Sequence, residues 1–377
     1  MMKKITIGQL CKPNVGQIKL DDDRLIDYFD IASIDNINKK NTGFTTYTFV
    51  EAPSRARRMI KKDNVLVSTI RPNLNAVALF DMNTQNVPVA STGFCVLDCK
   101  EDTNPRFLFY YLQSRFFVNE MVSQATGASY PAVSDKIVRS AHIPVYSYDE
   151  QVVIADMLDK VTYIIAKRKQ QLAKLDELVK ARFVEMFSDT RAEEPLATLC
   201  TFIDYRGKTP EKAERGLPFI TAKNIKMHHM SFETKEFISK ETYDKVMTRG
   251  FPKVGDVVFT TEAPLGNVCR IPYMKTEFYI GQRIITMQTK ALEPVYLEYA
   301  LSSDDFKRKI LEKSSGSTVT GIRSKLLEQL TIPVPPIAQQ QKFAAFVGQI
   351  EKIRLFIQKN IEKIETLKKA LMQKYFE

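Results

Sequence analysis

The stretch GASYPAVSDKIVRSAHIPVYSYDEQ occupies residues 127–151, and GSTVTGIRSKLLEQLTIPVPPIAQQ occupies residues 316–340. Each reads as a loop of small residues, a lysine with an apolar patch, Ile-Pro-Val, and then a glutamine. Gly127 and Gly316 stand 189 residues apart (316 − 127), and Gln151 and Gln340 keep the same offset (340 − 151). A chain that repeats itself in register is built from a repeated structural unit, so these two stretches decide how the rest is parsed.

Outward from them, the offset pairs Leu10-Cys11 with Leu199-Cys200, Ile31 with Ile220, and Pro105 with Pro294. Beyond the glutamines it pairs Ala155 with Ala344, Ile164 with Ile353, Lys174 with Lys363, Leu178 with Leu367, Ala181 with Ala370 and Phe187 with Phe376. In the middle it slips: DNVLVSTIRPNLN matches GDVVFTTEAPLGN at an offset of 192 (255 − 63), as loop insertions would produce. The chain therefore divides into a globular unit (1–148), a helical segment (149–188), a second globular unit (189–337) and a second helical segment (338–377).

The globular units read as α/β or α+β. The β-branched runs VLVSTI (65–70), VVFTT (257–261) and RIITMQ (283–288) predict strands. Residues 106–124 and 295–313 have helical periodicity. The segments after Ile-Pro-Val differ in kind. Apolar residues fall at Ile154, Leu158, Val161, Ile165, Leu172, Leu175 and Val179, interrupted by Arg168. The matching stripe is Phe343, Val347, Ile350, Arg354, Ile357, Ile361, Ile364, Lys368 and Leu371. Such a heptad stripe must be buried. The simplest partner for either segment is the other, as an antiparallel coiled coil with the two units related by a pseudo-twofold axis. The competing arrangement docks each stripe on its own domain or on a second chain.

Composition bounds the function. The 377 residues are 44% hydrophobic and 26% charged, the balance of a soluble globular protein. No apolar run reaches the roughly 20 residues a membrane helix needs, and MMKKITIGQLCKPN lacks the apolar core of a signal peptide. Five scattered cysteines (Cys11, Cys95, Cys99, Cys200, Cys269) read as reduced thiols in a cytoplasmic protein. Three histidines cannot assemble a zinc-ligand pattern. The net charge of +11 points to an anionic partner. It is spread as +4 over 1–148 (18 basic, 14 acidic), 0 over 149–188 (7 and 7), +3 over 189–337 (22 and 19) and +4 over 338–377 (8 and 4). Patches on folded units, not a basic tail, must therefore meet that partner.

Catalytic patterns are missing. RGKTP (206–210) has Phe202 where a Walker loop needs its first glycine. No Gly-x-Gly-x-x-Gly follows a strand, PVPPI (333–337) lacks the amide and aromatic of an amino-methylating motif, and Glu233-Thr-Lys235 has no twin in the first half. A duplicated chain without a duplicated catalytic constellation reads as a binder. Recognition chemistry is present instead. Arg55, Arg57, Arg58, Lys61 and Lys62 cluster within eight residues and can meet phosphates. Ser68, Thr69, Arg71, Asn73 and Asn75 follow a strand, and arginine and asparagine are the commonest bidentate base readers. The second half offers Arg206, Lys208, Lys223, Asn224, Lys226, His228, His229, Thr261, Asn267, Gln282 and Arg283, with Ala263 where Arg71 stands in the first.

Over its whole length the sequence resembles the specificity subunits of type I restriction–modification systems. The resemblance rests on the GASYPAVS…IPV…DEQ and GSTVTGIRS…IPVPP…QQQ junctions, the helices KRKQQLAKLDELVKARFVEMF and IEKIETLKKALMQKYF, and their duplication. It implies two target-recognition domains separated by spacer helices in an antiparallel coiled coil, each domain reading one half of a bipartite double-stranded DNA site. It implies a non-catalytic chain with no cofactor of its own. Two methylation subunits would use S-adenosylmethionine, and restriction subunits would use ATP and magnesium. By analogy with the family's small-residue loop, Ser129, Tyr130, Ser317, Thr318 and Arg323 are expected near DNA. Alternatives are the specificity partner of a type II-like restriction–methylation complex, a free-standing coiled-coil DNA-binding protein, and a solitary nuclease or methyltransferase.

Overall fold

The computed structural model describes residues 3–13, 15–18, 24–207, 209–314 and 320–377. The chain forms two compact units. The first comprises Met1–Lys169 with Gln358–Glu377, and the second comprises Gln170–Ile357. Each unit thus closes with the far end of a helix that began in the other.

In the first unit, Phe94–Leu97, Val65–Ser68 and Val77–Leu79 form an antiparallel three-stranded sheet. A second sheet orders Thr45–Thr48, Leu25–Phe29, Val87–Ser91 and Ala56–Met59, with Leu25–Phe29 and Val87–Ser91 parallel. The second unit repeats the plan. Cys200–Asp204, Ile284–Thr289, Val257–Thr260 and Val268–Arg270 form one antiparallel sheet, and Phe237–Ile238, Leu217–Ile220 and Tyr279–Ile280 form another with a parallel pair. The parallel strand of the first unit ends at Phe29, and Ile31 opens a 3-10 turn, whereas Ile220 still lies within a strand. The 189 offset therefore does not pair structural equivalents there.

The strands expected at 65–70, 257–261 and 283–288 form as Val65–Ser68, Val257–Thr260 and Ile284–Thr289. The helix expected over 106–124 is two helices, Pro105–Tyr111 and Arg115–Gln124. Ser114 accepts a hydrogen bond from Phe117 N and starts a new helix, and Ser303 does the same through Phe306 N between Pro294–Ser302 and Asp304–Lys313. Periodicity survives such a break, so the pattern alone did not reveal it.

The repeated junctions now have a physical role. His142–Pro144 pairs antiparallel with Lys4–Thr6 at the start of the first unit, and Thr331–Pro333 pairs with Glu193–Pro195 at the start of the second. The Ile-Pro-Val strand thus returns each unit to its own beginning before the long helices Tyr148–Phe187 and Ile337–Phe376 depart. The glutamine fastens the joint. Gln151 is buried; its Oε1 accepts from Asn104 N at 2.9 Å and its Nε2 donates to Tyr146 O at 3.0 Å and Asp102 O at 3.3 Å. Gln340 is equally buried; it accepts from Glu293 N at 2.9 Å and donates to Pro335 O at 2.7 Å. An apolar residue here would orphan buried backbone groups, at a cost of about 1–3 kcal/mol.

Within each unit, one end of each long helix packs against the other helix, antiparallel. In the first unit Lys169 pairs with Glu365 at 3.4 Å across the two helices, whereas Lys368 over the Tyr110 ring and Tyr375 O, which accepts from the Tyr146 hydroxyl, join the second helix to the domain. In the second unit Arg354 pairs with Asp176, and Arg182 lies over Phe346. Ile154, Leu158, Val161, Ile165, Val179, Phe343, Val347, Ile350, Ile357 and Ile361 are all buried. The helix ends also join the domain cores. Phe376 packs on Phe107 and Tyr111, with centroids 5.4 and 5.8 Å away. Phe343 sits among Phe183, Phe187 and Tyr299 at 5.3–5.5 Å. Stripe residues are thus buried within each unit, and the helix ends dock on the domain cores.

Candidate nucleic-acid interface

In both units the segment that follows a small-residue stretch binds the end of a central sheet strand. In the first, Thr126 and Ala132 exchange two hydrogen bonds of 2.9 Å, closing the loop that holds Ser129 and Tyr130. Gly127 takes φ +101°, and a Cβ there would lie 2.9 Å from Tyr130 O, so the turn needs glycine. The loop then binds the strand end: Arg71 N donates to Pro131 O at 2.7 Å and Val133 N to Thr69 O at 2.9 Å. In the second unit Ile322 N donates to Thr261 O at 3.0 Å, and Gly321 bridges Glu262. A Cβ on Gly321 would crowd Thr261 O at 3.2 Å. The contact with the strand end is therefore the same in both units, Val133 N to Thr69 O and Ile322 N to Thr261 O, while residues 315–319 of the second loop lie outside the described residues.

What surrounds that contact differs. In the first unit Arg71 takes φ 49°, and its guanidinium sits 4.7 Å from the ring centroid of Tyr130, which is 67% exposed. A cation over an aromatic face offers donors and a stacking surface together. Asn73 and Ser129 are exposed beside it. In the second unit the corresponding mouth carries Arg283 paired with Glu262 at 2.9 Å, and an exposed Arg323. Lys208, Ser317 and Thr318 lie outside the described residues.

Several residues expected to read bases instead hold the fold together. Asn224 is 1% exposed; its Oδ1 accepts from Thr221 N and Oγ1, and its Nδ2 donates to Ser231 O and Thr234 O. Its hydrogen-bonding capacity is used inside the loop, which corrects its assignment to the interface. Ser68 and Thr261 are likewise buried, donating to Ile70 O and Arg283 O. Asn75 Nδ2 donates to Leu112 O and Asn267 Nδ2 to Ile225 O, both at 2.8 Å. Sequence reading could not separate these from base readers, because an asparagine that ties a loop and one that reads adenine look identical.

The basic cluster at 55–62 divides similarly. Arg58 forms an ion pair with Asp135, at the start of the helix that follows the small-residue loop. Arg57 donates to Ala56 O and lies over Phe49. Lys61 pairs with Asp98 at 2.8 Å, and that carboxylate holds its ammonium pKa above the usual value. Arg55 and Lys62 remain exposed, without an ion pair among the described residues. Arg206 is held by Asp204 through three hydrogen bonds of 2.7–3.1 Å. Lys223 and Lys226 are exposed, as is His229. His228 stacks on Tyr299 with centroids 4.3 Å apart and lies 2.9 Å from Glu298, so it serves packing.

One charged feature escaped the sequence. A cleft of about 1190 Å³ in the first unit gathers Lys39, Lys40, Arg115, Lys169, Lys368 and Lys369. Burial lowers the pKa of both Lys39 and Lys368. These lysines come from distant parts of the chain, so no local pattern announces them. Among the described residues no cluster of His, Cys, Asp or Glu could hold a metal ion, and no helix is long and apolar enough to cross a membrane.

Comparison with known proteins agrees with the duplicated plan. The family model for the type I restriction modification DNA specificity domain matches twice, over residues 2–177 and 197–366. The type I restriction enzyme MjaVIII specificity subunit of Methanocaldococcus jannaschii is 23% identical over 291 residues, spanning 71% of this chain and 68% of that one. Two solved structures share the fold. One, from work on complex assembly and conformational transition of the type I R-M system, superposes with a TM-score of 0.65 at 23% identity, covering 99% of this chain and 97% of that one. The other, a type I restriction-modification S subunit from M. genitalium, gives 0.58 at 15% identity, covering 100% and 96%.

Proposed function

Because the chain belongs to the type I restriction modification DNA specificity family, we propose that its two units each read one half of a bipartite double-stranded DNA site. The observation that carries this reading is one backbone contact at the strand end, made in both units and surrounded by different side chains. A common frame with altered polar ends suits two half-sites of different sequence. In the first unit Arg71, Asn73, Ser129 and Tyr130 supply the readers, with Arg55 and Lys62 on phosphates. In the second, Arg323, Lys223 and Lys226 do so, with Arg283 held at the mouth by Glu262.

The long helices act as the spacer between half-sites and as the docking surface for two methylation subunits. S-adenosylmethionine, and the ATP and magnesium of restriction subunits, are held by those partners, and this chain performs no chemistry itself. The sequence supports this division, since neither half carries a recognisable catalytic constellation. The cytoplasm, where such a complex meets DNA, is the proposed location.

Unit exchange tests the proposal. The chain is assembled with its methylation subunits, and residues 69–75 and 127–134 are replaced by those of a relative. Methylated sites are then sequenced. One half of the target should change while the other half and the gap stay fixed. A change in both halves, or in neither, overturns the assignment.

A further inference from the structure

Cys11 and Cys99 face one another on neighbouring antiparallel segments. The register is set by Lys12 N donating to Asp98 O at 2.8 Å and Lys100 N donating to Leu10 O at 2.9 Å. Those bonds flank the two cysteines, which makes them a non-hydrogen-bonded pair, the type with the closer side chains and Cα atoms about 4.5 Å apart. Disulfides span Cα separations of about 4.4–6.8 Å, so the backbone already holds the two sulfurs in range. Cys11 is buried and Cys99 is partly exposed, so Cys99 is the member of the pair nearer to solvent. The two thiols share a hydrogen bond, so they ionise as a pair and not independently. Arg139 and Lys100 bring positive charge nearby and Asp98 negative charge.

The second unit supplies a built-in control. Cys200 corresponds to Cys11, but its partner across the ladder is Thr289. Cys95 and Cys269 are buried, and burial pushes their thiols up to about 12. Only the first unit, among the described residues, places two thiols in register.

We propose that Cys11 and Cys99 form a reversible disulfide when the protein meets a hydroperoxide, making the first unit a redox-modified site. The Cys99 sulfur attacks the peroxide oxygen; the O–O bond breaks and the leaving hydroxide takes a proton as water. The resulting sulfenic acid is attacked by the Cys11 sulfur, the S–O bond breaks, and a second water leaves. Two thiols are oxidised and one hydrogen peroxide is reduced to two waters. Thiol–disulfide exchange with a dithiol reverses the bond. The bond fastens the start of the segment whose Gly16–Ile18 lies along Arg57–Met59, through Met59 N to Gly16 O and Ile18 N to Arg57 O.

The test treats the full chain with hydrogen peroxide, blocks remaining thiols with an alkylating reagent, and maps peptides by mass spectrometry. A Cys11–Cys99 linked peptide should appear, two thiols should be lost, and dithiothreitol should restore both. Cys99→Ser should abolish the linked peptide and leave Cys11 alkylated, and Cys200→Ser should leave the linked peptide unchanged. Sulfinic acid at Cys99 without a linked peptide, or equal linkage through Cys95 or Cys200, overturns the proposal.

Discussion

At the last turn residue of equivalent hairpins the two units part company. In the first this residue is Lys39, at φ 56°, lining an open cleft with Lys368. In the second it is His228, at φ 62°, stacked on Tyr299. Tyr110 and Tyr299 occupy matching places, but around Tyr299 the space is closed by charge. Glu298, 1% exposed, lies between His228 and Arg270, and Arg270 also reaches Glu351. One backbone plan therefore supports a cleft lined by mixed charges in one copy, with Lys39, Lys368, Asp159 and Glu365 among them, and a buried ionic cluster in the other. Frame and decoration vary independently, because main-chain hydrogen bonds and apolar seams set the frame while side chains facing cleft or solvent are replaceable.

The largest expected effects test the shared frame. Phe343→Ala and Phe376→Ala each remove an aromatic that ties a helix end to a core, and each should destabilise its unit by about 3–5 kcal/mol in denaturant unfolding. A loss under about 1 kcal/mol at either would show that the helix ends do not anchor the units. Glu298→Ala should cost a similar ~3–5 kcal/mol, because it leaves Arg270 without its buried partner. Lys368→Met should be neutral or stabilising, since burial already disfavours its charge. Equal losses from both changes would erase the distinction between closed cluster and open cleft.

A smaller effect is expected at the joints. Gln151→Ala and Gln340→Ala should each cost about 1–3 kcal/mol, with Gln151→Ala the larger, because Gln151 serves three backbone groups and Gln340 two. Smallest are the surface changes. Arg55→Ala and Lys62→Ala should each reduce the salt dependence of DNA binding by about one unit of slope, while Arg58→Ala should change it less, its charge being paired with Asp135. An Arg58→Ala slope change as large as the others would restore Arg58 to the phosphate contact.

Much of the frame was legible in the sequence. The 189 offset, the buried stripe from Ile154 to Val179 and its partner from Phe343 to Leu371, and the Ile-Pro-Val strand followed by a fastening glutamine are local patterns. Each binds a residue to its own helix period or to its copy. The interface was legible only in part. Arg71 and Tyr130 were named separately, but nothing in the order of residues showed that a loop 59 positions later (130 − 71) would lay a ring under that guanidinium. Asn224, Ser68 and Thr261 were misread for the same reason.

By itself, then, the sequence determined the repeat, the alternation of globular and helical segments and the location of the joints. Those depend on periodicity and on hydrophobic burial, which neighbouring residues specify. The tertiary structure decided which polar groups stay free: it paired Arg58 with Asp135, Lys61 with Asp98 and Arg206 with Asp204. It also set Cys11 against Cys99 and gathered the cleft lysines. A side chain's availability depends on the groups folding brings to it. Most of those come from elsewhere in the chain, so local order cannot report it.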